Sequence, residues 1–192
     1  YKVVGTRPVR HDGYDKVTGR AIYGADVKLP GLIWAVCVRS PHAHANIKSI
    51  DISAAEAHEG VFAVITGADM PKAESKLVDL GEGNINFKWA SNKLMADKKV
   101  LYRGHPIAAI AAIDRYTAEE AARKVVVEYE VLPSVTNVVD ALKDDAPVIL
   151  PDLVGDDLGE DVTNTNMAAH VRHEFGDVAG AMASAAHTVE RE

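Results

Sequence analysis

The sequence predicts an α+β fold, and three observations carry that reading. Continuous apolar runs occur beside alternating ones, so strands buried on both faces coexist with strands buried on one. Short segments with helix-capping signals lie between them. Regular strand–helix–strand alternation is missing, which argues against a doubly wound parallel sheet.

The elements follow in chain order. The first 30 residues are rich in Gly and Pro, with turns at 9–13 and 17–20 and a strong turn at Pro30-Gly31. Leu32 to Arg39 reads as a largely buried strand, broken by Ser40-Pro41-His42-Ala43-His44, and Ala45 to Ile52 alternates as a second strand. Ser53-Ala54-Ala55-Glu56 has the form of a capping box opening a short helix, and Gly60 is placed to end it. Val61 to Thr66 reads as a buried strand. Residues 67–98 read as one long loop, of the length that usually serves function. Order resumes at Lys99 to Tyr102, and after a turn Pro106 to Ile113 is a continuous apolar run suited to a central strand. Thr117-Ala118-Glu119-Glu120 forms a second capping box for a helix through about Lys124. Val125 to Val131 is the clearest strand, and Asn137 to Lys143 allows one more short helix.

Composition shifts near Asp144, so three regions are expected: a domain over 1–143, an extended linker over 144–167 and a further unit beginning at 168. In the last region Ala168 to Phe175 reads as a strand, Asp177 caps a helix from Val178 to about Ala185, and His187 to Glu192 alternates like a strand cut short. That ending suggests a piece of a longer polypeptide.

Bulk properties narrow the functions. The chain has 192 residues, is 47% hydrophobic and 26% charged, and can bury a core without disulfides or a structural metal. Its 21 Lys+Arg against 28 Asp+Glu leave a net charge of −7 and no basic cluster, which argues against nucleic-acid binding. The lone Cys37 can form no internal disulfide or iron–sulfur cluster and reads as a small buried hydrophobe. No apolar run is long enough to span a bilayer and the start lacks a signal-peptide pattern, so a cytoplasmic setting is expected.

Motif tests are mostly negative. Gly81-Glu82-Gly83-Asn84 lacks the Lys-Ser/Thr of a phosphate loop and reads as a turn. His42-x-His44 and His170-x-x-His173 lack the further ligands a zinc site needs. No nucleophile elbow is present, and the neighbouring acids Glu119-Glu120 and Asp144-Asp145 read as solvated surface.

Three stretches go further: Asp15-Lys16-Val17-Thr18-Gly19-Arg20-Ala21 with Tyr23-Gly24-Ala25-Asp26; Arg39-Ser40-Pro41-His42-Ala43-His44-Ala45; and Tyr102-Arg103-Gly104-His105-Pro106-Ile107-Ala108-Ala109, followed by Ala118-Glu119, Ala121-Ala122 and Val127-Glu128-Tyr129-Glu130 before Leu132-Pro133. In order and spacing the chain resembles the N-terminal α/β-hammerhead region of the molybdopterin-binding large subunit of the xanthine dehydrogenase/aldehyde oxidase family. The likeness is close over about 10–142 and looser through Glu174-Phe175-Gly176-Asp177. It implies a hammerhead domain with a mixed sheet and short capped helices over 1–143, a linker, and the start of a cofactor-binding domain over 168–192. It further implies a parent enzyme that hydroxylates aldehydes or aromatic heterocycles at a molybdenum–pterin cofactor, with 2Fe–2S clusters and in some members FAD on partner domains or subunits.

The resemblance places the cofactor-binding and catalytic residues beyond Glu192, so no catalytic, cofactor-binding or metal-binding residue is assigned here, and the chain alone is expected to be inactive. One stretch is a candidate for substrate contact: Asn86, Phe87, Lys88 and Trp89, which the resemblance places near the substrate funnel. The aromatic rings of Phe87 and Trp89 suit a flat apolar wall; alternatively Trp89 simply anchors the loop. Two other readings stay open, a reductase resembling 4-hydroxybenzoyl-CoA reductase and a free-standing binding or assembly module with an acidic surface and a free sheet edge.

Overall fold

The computed structural model describes residues 2–81, 83–152, 164–170 and 173–191. Its organising element is β7 (Pro106–Ala112), the central strand expected from the apolar run. Every residue of β7 is uncharged, and four of its seven are fully buried. It is flanked by β1 (Trp34–Arg39) and β3 (Val61–Thr66), both antiparallel to it. Cys37 and Ile65 both register on Ala109, while Ala35 and Ala63 both register on Ala111. Side chains alternate across a strand, so these six share one face. The opposite face carries Val38, Ile110 and Val64, which pack with Ala55 and Ala121. Those two alanines come from α2 (Ser53–Glu56) and α4 (Arg115–Ala122), which cover that face.

A second antiparallel sheet has the order β6 (Lys99–Val100), β2 (Ala45–Asp51), β8 (Val126–Val131). Ile47, Ile50, Val127 and Tyr129 pack on a core of Ala45, Ala96, Val100 and Ile107. The polar residues of these strands pair across it: Asn46 Nδ2 donates to Glu130 Oε2 at 2.9 Å, Ser49 Oγ donates to Glu128 at 3.1 Å, and Lys48 lies 2.9 Å from Glu130. β7 supplies Ile107 to this core and Ile110 to the other, and so joins the two sheets.

The α+β class holds, with several local corrections. Instead of a mixed sheet, the described strands form three sheets, each antiparallel throughout. Strand direction depends on the path of the connections, which local patterning does not encode. The capping box at Ser53 does not form: Asp51 Oδ1 accepts from both the Ser53 amide and hydroxyl, at 2.9 and 2.7 Å, and Ile52 is the cap residue. α4 begins before the Thr117 box, because Asp114 Oδ1 accepts from the Thr117 amide at 2.8 Å. Val61 to Thr66 is not a buried strand: Phe62 is 63% exposed, and only Val64 of the six is buried. Cys37 is exposed as well. Cys37 lies on the face of the sheet that α2 and α4 do not cover, and Phe62 is the extra residue of a bulge between Val61 and Ala63 on the edge strand β3.

In the N-terminal region 13–17 forms a short helix, α1 (Gly13–Val17), with Asp12 bridging Arg10 and Lys16. The loop expected over 67–98 contains a hairpin, β4 (Leu77–Asp79) and β5 (Asn84–Asn86), then α3 (Phe87–Leu94). α5 (Val138–Ala141) lies within the stretch expected to form a short helix, and Asn137 caps it. Within the stretch read as a linker, Asn166 receives the Ile149 amide and donates to the carbonyls of Ala141 and Pro147. α6 (Val178–Ser184) is capped by Asp177, whose Oδ1 accepts from Gly180 at 2.8 Å. The strand expected over 168–175 lies partly outside the described residues; the described ones show only an isolated bridge at Ala169, and 187–191 form no strand.

Candidate functional site

The four candidate residues sit where β5 turns into α3. The segment 84–103 contains no Gly or Pro, and Asn86 opens the helix as its cap. The buried Asn86 is held from both ends: its Oδ1 accepts from the Lys88 amide at 3.1 Å, and its Nδ2 donates to Ser75 Oγ at 3.0 Å. Before it, Gly81 and Gly83 take positive φ in the hairpin turn, and the Leu80 amide donates to the Gly83 carbonyl at 3.0 Å. The described residues of the stretch tested as a phosphate loop thus belong to the connection between β4 and β5 and to the start of β5.

Phe87 and Trp89 diverge. Phe87 is 45% exposed, whereas Trp89 is 6% exposed, and its indole Nε1 has no hydrogen-bond partner. Lys88 lies between them, with its Nζ 5.1 Å from the centre of the Trp89 ring and 3.6 Å from Asp152. The structure thus turns Phe87 outward and makes Trp89 an anchor of α3. A groove of about 460 Å³ opens beside that anchor, lined by Lys88, Trp89, Asn92, Lys99, Ile149 and Asp152 among others. Lys99 Nζ donates to the Ile149 carbonyl at 2.9 Å. Burial lowers the pKa of Lys99 below its ordinary value, and the negative charge of Asp152 partly offsets this.

The Tyr102-Arg103-Gly104-His105 turn clamps the end of α3. The fully buried His105 accepts from the Leu101 amide on Nδ1 at 3.2 Å, so its neutral ring donates from Nε2 to the Asn92 carbonyl at 2.8 Å. Tyr102 stacks on it with ring centres 4.4 Å apart and donates its hydroxyl to the Lys93 carbonyl at 2.8 Å. Helix-terminal carbonyls lack partners within their own helix, and these two side chains supply them. Burial pushes the His105 imidazole pKa below its usual value, with the backbone hydrogen bonds to α3 opposing the shift. Sequence reasoning missed both the helix and its clamp. The unbroken Gly- and Pro-free segment after an Asn cap was the signal for the helix.

His42 and His44 go to separate partners. His42 meets the edge of Tyr129 at 4.9 Å, while His44 Nδ1 bonds the Pro133 carbonyl. Among the described residues no group of three or more His, Cys, Asp or Glu could hold a metal ion.

Over residues 18–133 the chain matches the family model for the aldehyde oxidase and xanthine dehydrogenase a/b hammerhead domain. It belongs to that family. The chain is 38% identical to the carbon monoxide dehydrogenase large chain of Afipia carboxidovorans over 84% of its own length and 19% of the relative's. It is 33% identical to the 6-hydroxypseudooxynicotine dehydrogenase complex subunit gamma of Paenarthrobacter nicotinovorans, over 98% of this chain and 23% of that one. A solved Cu,Mo-CO dehydrogenase superposes with a TM-score of 0.64 at 34% identity, covering 93% of this chain and 22% of its own. This hammerhead chain therefore spans about a fifth of the length of these three relatives.

Of the buried polar side chains of the hammerhead, Ser40, Asn86 and His105 bond to other groups of the protein, while His44 does so through Nδ1 only; its Nε2, like the indole Nε1 of Trp89, has no partner among the described residues. The bonded groups hold the chain's own turns and helix ends.

Proposed function

We propose that this chain is the framework and one wall of the substrate funnel of a larger molybdenum hydroxylase acting on an aldehyde or an aromatic heterocycle, and that it is inactive by itself. The observation that carries the reading is the hammerhead match over most of the chain, together with relatives more than about four times as long. Two of those relatives are dehydrogenases of different small molecules by name, which supports a shared framework with the substrate selected elsewhere. The remaining polypeptide holds the molybdenum–pterin cofactor, and iron–sulfur and flavin subunits or domains act as electron partners in a cytoplasmic complex. Among the described residues no helix is long and apolar enough to cross a membrane.

The funnel assignment rests on the outward turn of Phe87 beside the fixed Trp89. Lys88 contributes a cation at the rim, and Asn86 holds the turn in place. The test is to express the complete reading frame and measure its length, molybdenum and pterin. Molybdenum and pterin in a protein much longer than 192 residues support the reading; a metal-free product of about this length refutes it. In the loaded enzyme, Phe87→Ala is expected to raise KM for an aromatic substrate with little effect on Tm, whereas Trp89→Ala lowers Tm. Equal KM in wild type and Phe87→Ala removes the funnel assignment and leaves the framework role.

A further inference from the structure

The sheet β1–β7–β3 is covered on one side only. On the other side lie two cross-strand rows, Cys37–Ala109–Ile65 and Ala35–Ala111–Ala63. Cys37, Ile65, Ala35 and Ala63 are exposed, and Ala109 and Ala111 are only partly buried. Ile33 and Ile113, 50% and 59% exposed, continue the same alternation just beyond the strand ends. No charged residue stands in either row. A half-solvated antiparallel sheet ordinarily carries polar residues on its wet face. The other sheet of this molecule does so, with Asn46, Lys48, Ser49, Glu128 and Glu130. The contrast within one chain marks the alanine-rich face as one that is dry in the working protein. Small side chains across three strands also let a second layer approach closely.

We propose that this face is the inner surface of a sandwich completed by the rest of the same polypeptide, folded against it as a permanent layer. The proposal builds on the reading that the chain is part of a longer protein. The choice of occupant follows from composition and length. A face without charges resembles a domain core cut in half, the character of obligate contacts rather than transient ones. The relatives carry about four fifths of their length outside the region matched here, ample to supply the layer.

Cys37 is a reporter at the centre of one row. In the purified whole polypeptide, separated from any partner subunits, its alkylation by iodoacetamide is followed by mass spectrometry of the peptide Leu29–Arg39. The expected result is alkylation at least about tenfold slower in the native protein than in urea, because thiol reactivity follows exposure. Labelling at the unfolded rate overturns the proposal. So does protection seen only with partner subunits present, which assigns the face to a subunit, or protection that fades on dilution, which assigns it to a second copy. As an independent measurement, Ala63→Glu in the whole polypeptide is expected to lower Tm by several degrees; an unchanged Tm also counts against a covered face. Molybdenum and pterin content, measured on the same preparation, reports on the parent function separately from the fate of this face.

Discussion

At the scale of single residues, two positions show how closely the chain is constrained. Gly67 follows β3, and a Cβ built on it would stand 2.3 Å from the Ala96 carbonyl oxygen, a backbone atom that cannot swing aside. Gly67→Ala is expected to cost about 1–3 kcal/mol through overpacking, visible as a lower urea midpoint with an unchanged slope. His105 sets a pH dependence. Its folded pKa lies below the ordinary 6.5, so between the two values the unfolded chain binds more protons than the folded one. Its stabilising contribution is complete above about 6.5 and is lost as pH falls through the lower folded value. The carboxylates Asp12, Asp51, Asp114 and Glu130, all lowered by their hydrogen-bond or charge partners, add their losses only at more acidic pH, below ordinary values of 3.8 to 4.5. Replacing His105 by Asn should flatten the dependence of stability on pH just below 6.5 and leave the acid limb in place. An unchanged slope in that window would show that the histidine is not its source.

At the scale of elements, helix ends decide more than helix interiors. α4 is only 8 residues long, too short to be stable without packing and a cap. Asp114 is the cap, and Asp114→Ala is expected to cost about 1 kcal/mol, with Asp114→Asn retaining most of it; thermal melts of the two variants test this. α3 depends on both ends, Asn86 at the start and the Tyr102–His105 clamp at the finish. The resemblance rests partly on the turn that includes Tyr102 and His105, and their role here is to fix the helix that presents Phe87. A family motif of this kind acts as structural support for the helix it closes.

At the scale of the molecule, β7 is the shared element of two small cores. Ile107→Ala and Ile110→Ala each remove a fully buried side chain from a different core, and each is expected to cost about 2–5 kcal/mol. Because one strand serves both, unfolding should remain a single transition in either variant. Two transitions in a calorimetric or denaturant trace would show that the sheets fold independently. The open face of the first sheet belongs to the same scale: an apolar surface that this chain does not cover is a statement about the larger assembly.

The sequence by itself determined the α+β class, the position of β7, the strands β1, β2 and β8, the cap at Asp177, and the family, because these are written in local alternation, capping residues and motif order. Only the tertiary structure decided which strands pair and in which direction, that Asp51 and Asp114 outcompete the nearby capping boxes, that Trp89 turns inward while Phe87 turns outward, and that Cys37 and β3 lie open. The physical reason is the same in each case. Apolar alternation says that a face wants cover, but what covers it comes from distant parts of the chain, or from polypeptide beyond it. Exposure is therefore a property of the assembled layers, and no local window of residues contains it.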